Sequence, residues 1–449
     1  MRSKALFAGA VLLIVGYVLL RAFSSSPSSD TLPPNVVVVL IDTLRPDYLG
    51  VYGHEPETAP FISRIARRST VFTRAFSTSS WTAPSTASLF TSTYPTRHGV
   101  IVGFRAHQQR EMNFRKAGGR ATVEVNRIPD DLRTLPELFQ EAGYATFGLT
   151  SNRNIGDEEG FTRGFDLFYK AYRLPAEVIY DEIERWKEEM EDSRPYFLYI
   201  HLNDVHTPYL EREPYYRRLA GHASGNQRRY LSEIGYVDAH IKKIYNLLNM
   251  DRNTLLMVLS DHGEEFADHG GIGHGPHLYR ELNQVLMLVH SRALGIPSQR
   301  INLNVSLIDV IPTLIELCGL QRIPQSQGTS LAPLLCDDPG REDLRGRLEA
   351  RTLFAHRIGG FEPEQQHWAA TFQHWKFFDP WDDRPQLFDH RVDLAEKRNV
   401  IEEHSDLAST LMEQLEVFKK TADESTAKTV AVPLDDELFE TLQSLGYVE

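Results

Sequence analysis

The run Asn35-Val36-Val37-Val38-Val39-Leu40-Ile41 constrains this chain more than any other stretch. Its apolar residues do not alternate with polar ones, so a strand made from them needs apolar cover on both faces, as in the parallel sheet of an α/β protein. The run ends in Asp42-Thr43. A carboxylate at the C-terminal end of such a strand stands where open α/β sheets bind their ligands. Further apolar runs follow at Val71–Phe76, Ala145–Leu149, Tyr196–Leu202, Thr254–Leu259 and Val285–Val289. Helical patterns fall among them: Thr58 and Pro60 open a short helix to Arg68, Thr134 caps another that ends before Gly143, and Ala176–Glu191, Gln227–Asn249 and Ser306–Leu317 give three more. This alternation predicts a doubly wound, mostly parallel α/β sheet flanked by helices.

Beyond about residue 340 the texture changes. Trp375–Phe378 and Gln386–Asp389 read as short antiparallel strands, Ser405–Thr421 and Asp435–Leu445 as helices, and Ala422–Val432 as a loose linker. The expected organisation is a targeting segment at residues 1–30, a catalytic domain at 31–335 and a small α+β subdomain at 336–449. In the first segment Arg2 and Lys4 precede the apolar run Ala5–Leu20, and Ala22-Phe23-Ser24 makes a poor cleavage site. The expectation is an uncleaved membrane anchor with a cytoplasmic N-terminus and an exported remainder, periplasmic or extracellular. Residues 104–127, basic and built around Gly118-Gly119, resist a regular reading: they are either a lid near an anionic substrate or a disordered insertion, and the insertion is favoured because charge runs are usually solvated. A net charge of -13 gives no electrostatic footprint for nucleic acid. The two cysteines, Cys318 and Cys336, exclude a thiolate zinc site and leave one disulfide open.

The chemistry gathers at Ser79-Ser80-Trp81-Thr82-Ala83-Pro84-Ser85-Thr86. Pro84 and the hydroxyl residues predict a helix start with Thr82 at its mouth, where free N–H groups and the positive dipole end favour an anion. Asp42, Thr82, Asp261 and His262 each fall at the C-terminal end of a predicted strand or in the turn after one, so a parallel sheet brings them to one edge. Two carboxylates, an imidazole and a hydroxyl suffice for one divalent metal, which would favour the Thr82 alkoxide and neutralise ester oxygens. His206 and His274 also lie just past strands, placed to protonate a leaving oxygen or grip an anion. His269, His277 and His290 have only proximity to recommend them and read as structural.

With these stretches in view, the chain resembles the sulfatase family of the alkaline-phosphatase superfamily over essentially everything after residue 34. The resemblance is carried by Val39–Thr43, Thr82–Thr91, Tyr94-Pro95-Thr96-Arg97-His98-Gly99-Val100, Ser260–Glu264, Ile308–Leu314 and Leu445-Gly446-Tyr447. It implies metal ligation by Asp42, Asp261 and His262, a nucleophile at Thr82, and anion contacts from His206 and His274. Two positions depart from the family pattern. The C-x-P-S-R signature, whose Cys or Ser becomes formylglycine, reads Thr82-Ala83-Pro84-Ser85-Thr86, and threonine cannot give that aldehyde. A threonine nucleophile is similar to that of phosphoethanolamine and phosphoglycerol transferases of the same superfamily. Thr43 also stands where most sulfatases carry a second Asp, which suits manganese or zinc better than calcium.

The expected function is an exported, metal-dependent, sulfatase-family hydrolase of sulfate or phosphate esters acting through Thr82, with no formylglycine. A phosphoryl-group transferase acting on a lipid or glycan, and a catalytically silent anion-binding protein, are the competing readings. The ligand set and the hydroxyl at position 82 weigh against silence.

Overall fold

The structure is a computed structural model, described here for residues 33–101, 122–193, 195–274, 277–358, 365–381, 383–421 and 428–433. The run that opens the chain's fold becomes β1 (Asn35–Ile41), every residue of it buried. Its side chains divide between two cores. Val36, Val38 and Leu40 join one, and Val37, Val39 and Ile41 the other. Alternation along a strand puts successive side chains on opposite faces, so both faces are covered.

Among the described residues sixteen strands come after β1: β2 (Thr70–Phe76), β3 (Thr122–Arg127), β4 (Ala145–Thr150), β5 (Leu167–Lys170), β6 (Tyr196–Leu202), β7 (Thr254–Ser260), β8 (Glu265–Phe266), β9 (Ile272–Gly273), β10 (Gln284–Val285), β11 (Met287–His290), β12 (Gln299–Ser306), β13 (Thr352–Ile358), β14 (Gln366–Phe372), β15 (Trp375–Asp379), β16 (Gln386–Asp389) and β17 (Lys428–Pro433). The main sheet has nine strands in the order β10-β2-β11-β7-β1-β6-β4-β5, with β12 on β2. The pairs β1–β6, β1–β7, β4–β6, β4–β5 and β12–β2 are parallel, and β10 and β11 run against their neighbours. The expected mostly parallel, doubly wound α/β sheet is the one observed. Because β11 reverses direction between β7 and β2, the C-terminal ends of β7 and β2 share one edge with those of β1, β6 and β4.

Helices cover both faces. Thr82–Thr91, Leu135–Glu141 and Val310–Cys318 pack on one core through Phe90, Leu138 and Leu314. Pro60–Ala66, Ala176–Asp192 and Gly225–Leu247 pack on the other through Ile62, Ile183 and Val237. The Leu135 helix starts as its sequence signals require, with a Thr134–Glu137 capping box. Gly143 beyond its end adopts φ +84°.

Strands β13 to β16 form a separate antiparallel sheet. Helix Ser405–Lys420 lies on it through Leu411, Leu415 and Phe418, in a core that also takes Tyr94 and Ile308 from the earlier chain. The described residues from Pro34 onward fall together as one compact unit. At one point the attachment bears on function: His356 N–H in β13 donates to Thr78 O, 2.9 Å away, in the loop that leads to Thr82.

Two expected irregular stretches are partly regular. Residues Thr122–Arg127 and Lys428–Pro433, read as insertion and linker, pair as antiparallel β3 and β17. In the backbone register, position 123 pairs with 432 and position 125 with 430. Each run is too short to declare itself, and the pairing joins segments about three hundred residues apart in sequence. The rest of the 104–127 insertion up to residue 121, the segment 1–30 and the helix expected at Asp435–Leu445 lie outside the described residues. Cys318 and Cys336 are free thiols. Among the described residues no helix is long and apolar enough to cross a membrane.

Candidate active site

Asp42 follows β1, Asp261 and His262 follow β7, His201 lies in β6, and Asn152 follows β4. All five are buried. The backbone turns sharply at Thr43, which has φ +55°. Its N–H donates to Asp261 Oδ1 over 3.1 Å, while its hydroxyl donates away from the centre to Val205 O. Thr43 is therefore a turn residue that positions Asp261.

Thr82 is the first residue of its helix, and the extended Trp81 occupies the cap position. Its hydroxyl makes no cap bond, contrary to a plain helix cap, and points into the centre. Oγ1 lies 3.4 Å from His262 Nε2 and 3.5 Å from Asn152 Nδ2. The neighbouring hydroxyls do the bracing. Ser85 Oγ donates to Trp81 O over 2.8 Å, Ser77 Oγ reaches Ser85 Oγ at 2.9 Å, and Thr78 Oγ1 reaches Ser88 Oγ at 2.7 Å. Those bonds explain why so hydroxyl-rich a helix is buried throughout.

Around Thr82 the expected ligand set converges. His262 Nε2 stands 3.6 Å from Asp42 Oδ1 and 3.4 Å from Asp261 Oδ2. His262 Nδ1 is 2.8 Å from Gly263 O, which fixes its proton there and leaves the Nε2 lone pair exposed to the centre. Burial, and then His274, push His262 down to about 3, so the ring is neutral. Asp42 Oδ1 and Asp261 Oδ2 are buried without a hydrogen-bond partner among the described residues. Burial and the charge of Asp42 push Asp261 well up. Burial acts the same way on Asp42, but the hydrogen bond from His201 and the imidazoles of His206 and His262 outweigh it and hold Asp42 low. Two such carboxylates are not both ionised unless a cation accompanies them. The orphaned oxygens, the free lone pair and the hydroxyl thus fit a divalent ion.

Two members of the site were missed in the sequence. His201 Nε2 donates to Asp42 Oδ2 over 3.1 Å, and Tyr199 OH meets its Nδ1 at 3.0 Å. Ligand-capable atoms of Asp42, His201 and Asp261 all lie within 4.8 Å of one another. Asn152 Nδ2 donates to Asp42 Oδ2 over 2.5 Å and to Asn203 Oδ1 over 2.8 Å. The available signal was polarity: His201 interrupts an otherwise apolar buried strand one residue before its end.

His206 and His274 come together with His262. Ring centroids are 4.8 Å apart for His206–His274 and 5.0 Å for His262–His274. His274 Nδ1 lies 3.1 Å from Glu264 Oε1, and Tyr209 OH donates to Glu264 Oε2 over 2.7 Å. Burial lifts Glu264 to about 7 despite His206 and the Tyr209 bond. The Tyr209–Glu264–His274 chain fixes the ring's orientation. His206 Nδ1 sits 2.6 Å from Thr207 O. Arg153, Tyr172 and Arg173 line a small pocket beside Asn152 and His206. Of the three histidines read as structural, His269 is stacked on Tyr279 at 3.6 Å, His277 stands edge-on to His367 at 5.2 Å, and His290 is bonded to Ser69 at 3.1 Å.

A fold with carboxylates, imidazoles and a helix-borne hydroxyl at the C-terminal edge of a parallel sheet defines a hydrolase of the alkaline-phosphatase type. A family profile described as Sulfatase matches residues 34–320, and the chain belongs to that family of sulfuric ester hydrolases. It is similar to human N-acetylgalactosamine-6-sulfatase, 24% identical over 429 residues, covering 82% of this chain and 76% of the relative. It is also similar to N-acetylgalactosamine-6-O-sulfatase of Bacteroides thetaiotaomicron, 23% identical, covering 86% of this chain and 93% of the relative. Among solved structures, a 2-O GAG sulfatase superposes with TM-score 0.69 at 17% identity, over 87% of this chain and 93% of that one. The phosphonate monoester hydrolase of Agrobacterium radiobacter superposes with TM-score 0.67 at 17% identity, over 87% and 96%.

Proposed function

We propose that this chain is a metal-dependent hydrolase of sulfate esters that uses the unmodified Thr82 hydroxyl as its nucleophile. The observation that carries the reading is the position of Thr82 Oγ1, at a helix N-terminus and 3.4 Å from His262 Nε2 within the carboxylate–imidazole cluster. Asp42, Asp261 and His262 would hold the ion, with His201 and Asn152 fixing Asp42. When bound, the ion supplies Lewis acidity that favours the Thr82 alkoxide and offsets charge on the ester oxygens.

In this reading Thr82 Oγ1 attacks sulfur, the bond from sulfur to the leaving alcohol oxygen breaks, and residue 82 becomes a sulfate ester. The proton Thr82 loses equals the one the leaving oxygen gains, so one shuttling imidazole keeps the balance. His274, its Nδ1–H committed to Glu264, has Nε2 for that role. His206 grips the ester's anionic end. Water then attacks sulfur, the bond from sulfur to Thr82 Oγ1 breaks, and the same imidazole takes a proton from the water and returns it to Thr82 Oγ1, so that sulfate leaves and the hydroxyl is restored. The first turn of the Thr82 helix adds N–H groups and its dipole.

A phosphate or phosphonate monoester is the second substrate class, since threonine must be displaced by attack at sulfur or phosphorus and the fold is shared with a phosphonate monoester hydrolase. Transfer to an alcohol replaces water in the second step. The export and membrane attachment expected from residues 1–30 complete the proposal. A turnover panel of aryl sulfate, phosphate mono- and diesters and phosphonate monoester, with added manganese, zinc or calcium, tests it. Fastest turnover on sulfate monoesters is the expected result, and bound metal with no turnover on any ester would return the protein to the silent anion-binding class.

A further inference from the structure

Away from the catalytic edge, a groove of about 560 Å³ runs between the β2–β12 edge of the main sheet and the turns of the β13–β16 sheet. Its charged lining is dominated by arginine: Arg74, Arg280 and Arg391 face one carboxylate, Glu349. Arg391 is spoken for, since its Nη2 lies 2.7 Å from Asp389 Oδ2. Arg74 and Arg280 are different. Among the described residues neither has a carboxylate within ion-pair distance. Arg74 Nε donates to Asn304 Oδ1 over 2.7 Å and its Nη2 to Gln373 O. Arg280 Nη1 donates to Leu394 O over 3.3 Å.

Each guanidinium carries five N–H donors in a planar fork that matches two oxygens of a tetrahedral oxyanion. The bonds above leave Nη1 of Arg74 and both Nε and Nη2 of Arg280 without a described protein acceptor. Burial first, and then the charge of Arg280, weaken Arg74's hold on its proton, so the two cations meet in the groove at a cost that an anion between them removes. This chain carries 61 acidic residues against 48 basic ones, yet no carboxylate pairs with Arg74 among the described residues, and Asp47, on which the charge of Arg280 does act, is already paired with Arg45 at 2.8 Å.

We infer that this groove is a second anion site, separate from the catalytic centre, in which Arg74 and Arg280 together hold one sulfate or phosphate group, free or carried as an ester. The inference does not depend on the reaction proposed for Thr82, and none of the groove's residues belongs to that centre.

The test uses the full chain in the Thr82→Ala background, so that an ester probe is not consumed. Crystals soaked in selenate locate the anion by the anomalous signal of selenium. Titration calorimetry with inorganic sulfate, inorganic phosphate and glucose 6-sulfate measures binding. The expected result is a selenium peak within hydrogen-bond distance of both guanidinium groups, with Arg280→Ala abolishing it and removing a binding step or weakening it at least tenfold. Arg280→Lys, which keeps the charge but not the fork, retains part of the affinity. Arg280 is the position to change because its side chain's one described protein bond is to a carbonyl, and its backbone N–H keeps its 2.8 Å bond to Glu396 Oε2 whatever the side chain. Arg74 ties Asn304 and Gln373 to each other, and its loss can unfold the edge. Tighter binding of glucose 6-sulfate than of the free ions points to an ester ligand, and the reverse to a free ion. No selenium peak in the groove at saturation, or the same binding steps in parent and Arg280→Ala, overturns the inference.

Discussion

Thr82 carries a methyl group on the carbon that bears its oxygen, and this one detail excludes the aldehyde chemistry of formylglycine while leaving a nucleophile in the same place. Mass spectrometry is expected to find residue 82 unmodified, or trapped as a sulfate or phosphate ester after brief exposure to substrate. Thr82→Ala should abolish turnover, at least several kcal/mol in barrier, whereas Thr82→Ser should keep part of it because only the χ1-restraining methyl is lost. An alanine variant as fast as the parent would reduce Thr82 to a helix position. Changing Asp261 or His262 to Ala should remove bound metal without unfolding the sheet, and elemental analysis decides it: full stoichiometry in both variants removes them as ligands. Asp261 and His262 were legible because they stand just past the end of a strand, and Thr82 because a helix-start signal follows the turn after one, so their place at the sheet edge needs no knowledge of strand order. His201 was not. Its relation to Asp42 depends on the β1–β6 register, which sets Leu40 opposite His201 and is settled only by long-range pairing. Thr43, at a position where the family pattern has a carboxylate, gave no sign in the sequence that its N–H steers Asp261, since that bond depends on the sharp turn after β1.

At the scale of elements, the site depends on how closely the turn after β7 approaches its neighbours. Gly263 follows His262 in a space where a β-carbon would sit 1.8 Å from Glu281 O, so only glycine fits. Arg45 Nη1 holds the next carbonyl, that of Glu264, at 3.0 Å, and also pairs with Asp268 at 2.7 Å. Gly263→Ala should therefore cost about 1–3 kcal/mol of stability through overpacking and should also lower activity by shifting His262 and Glu264. Urea unfolding measured beside turnover checks both, and an alanine variant with parental stability would show that the turn yields freely. The buried parallel strands and capped helices were readable because their signals are local: β-branched runs, Thr134 with Glu137, and Gly143. The β3–β17 ladder was not, since each segment is only six residues long and its pairing partner lies about three hundred residues away in sequence. Strands β13 and β14 escaped for a related reason. His356, Arg357 and His367 interrupt them, and those polar groups find their places only once the β13–β16 sheet has formed.

The molecule as a whole buries titratable groups that pull its pH dependence in opposite directions. His98 and His356 are each pushed down to about 3 by burial, from an ordinary 6.5. Below that ordinary value the unfolded chain takes up protons that the folded rings refuse, so this part of the stability is lost as pH falls from about 6.5 toward about 3. Glu233, on the long Gly225–Leu247 helix, behaves the other way. Burial pushes it up to about 9 from 4.5, although Arg212 stands 3.6 Å away. That arginine also serves Asp204 Oδ1 at 3.2 Å, and Glu233 Oε2 has no described partner. Folded Glu233 keeps its proton where the unfolded chain has released it, so its contribution is complete below about 4.5 and disappears as pH rises through about 9. Glu233→Gln keeps the shape and removes the titration. The stability of this variant relative to the parent is therefore expected to rise with pH across that window, by roughly 1 kcal/mol per pH unit where the two states differ by a full proton. Urea unfolding of both proteins at several pH values measures it. Parallel curves would mean that Arg212 keeps Glu233 ionised as a true ion pair, and that this arginine holds two charged carboxylates beneath the His206 loop.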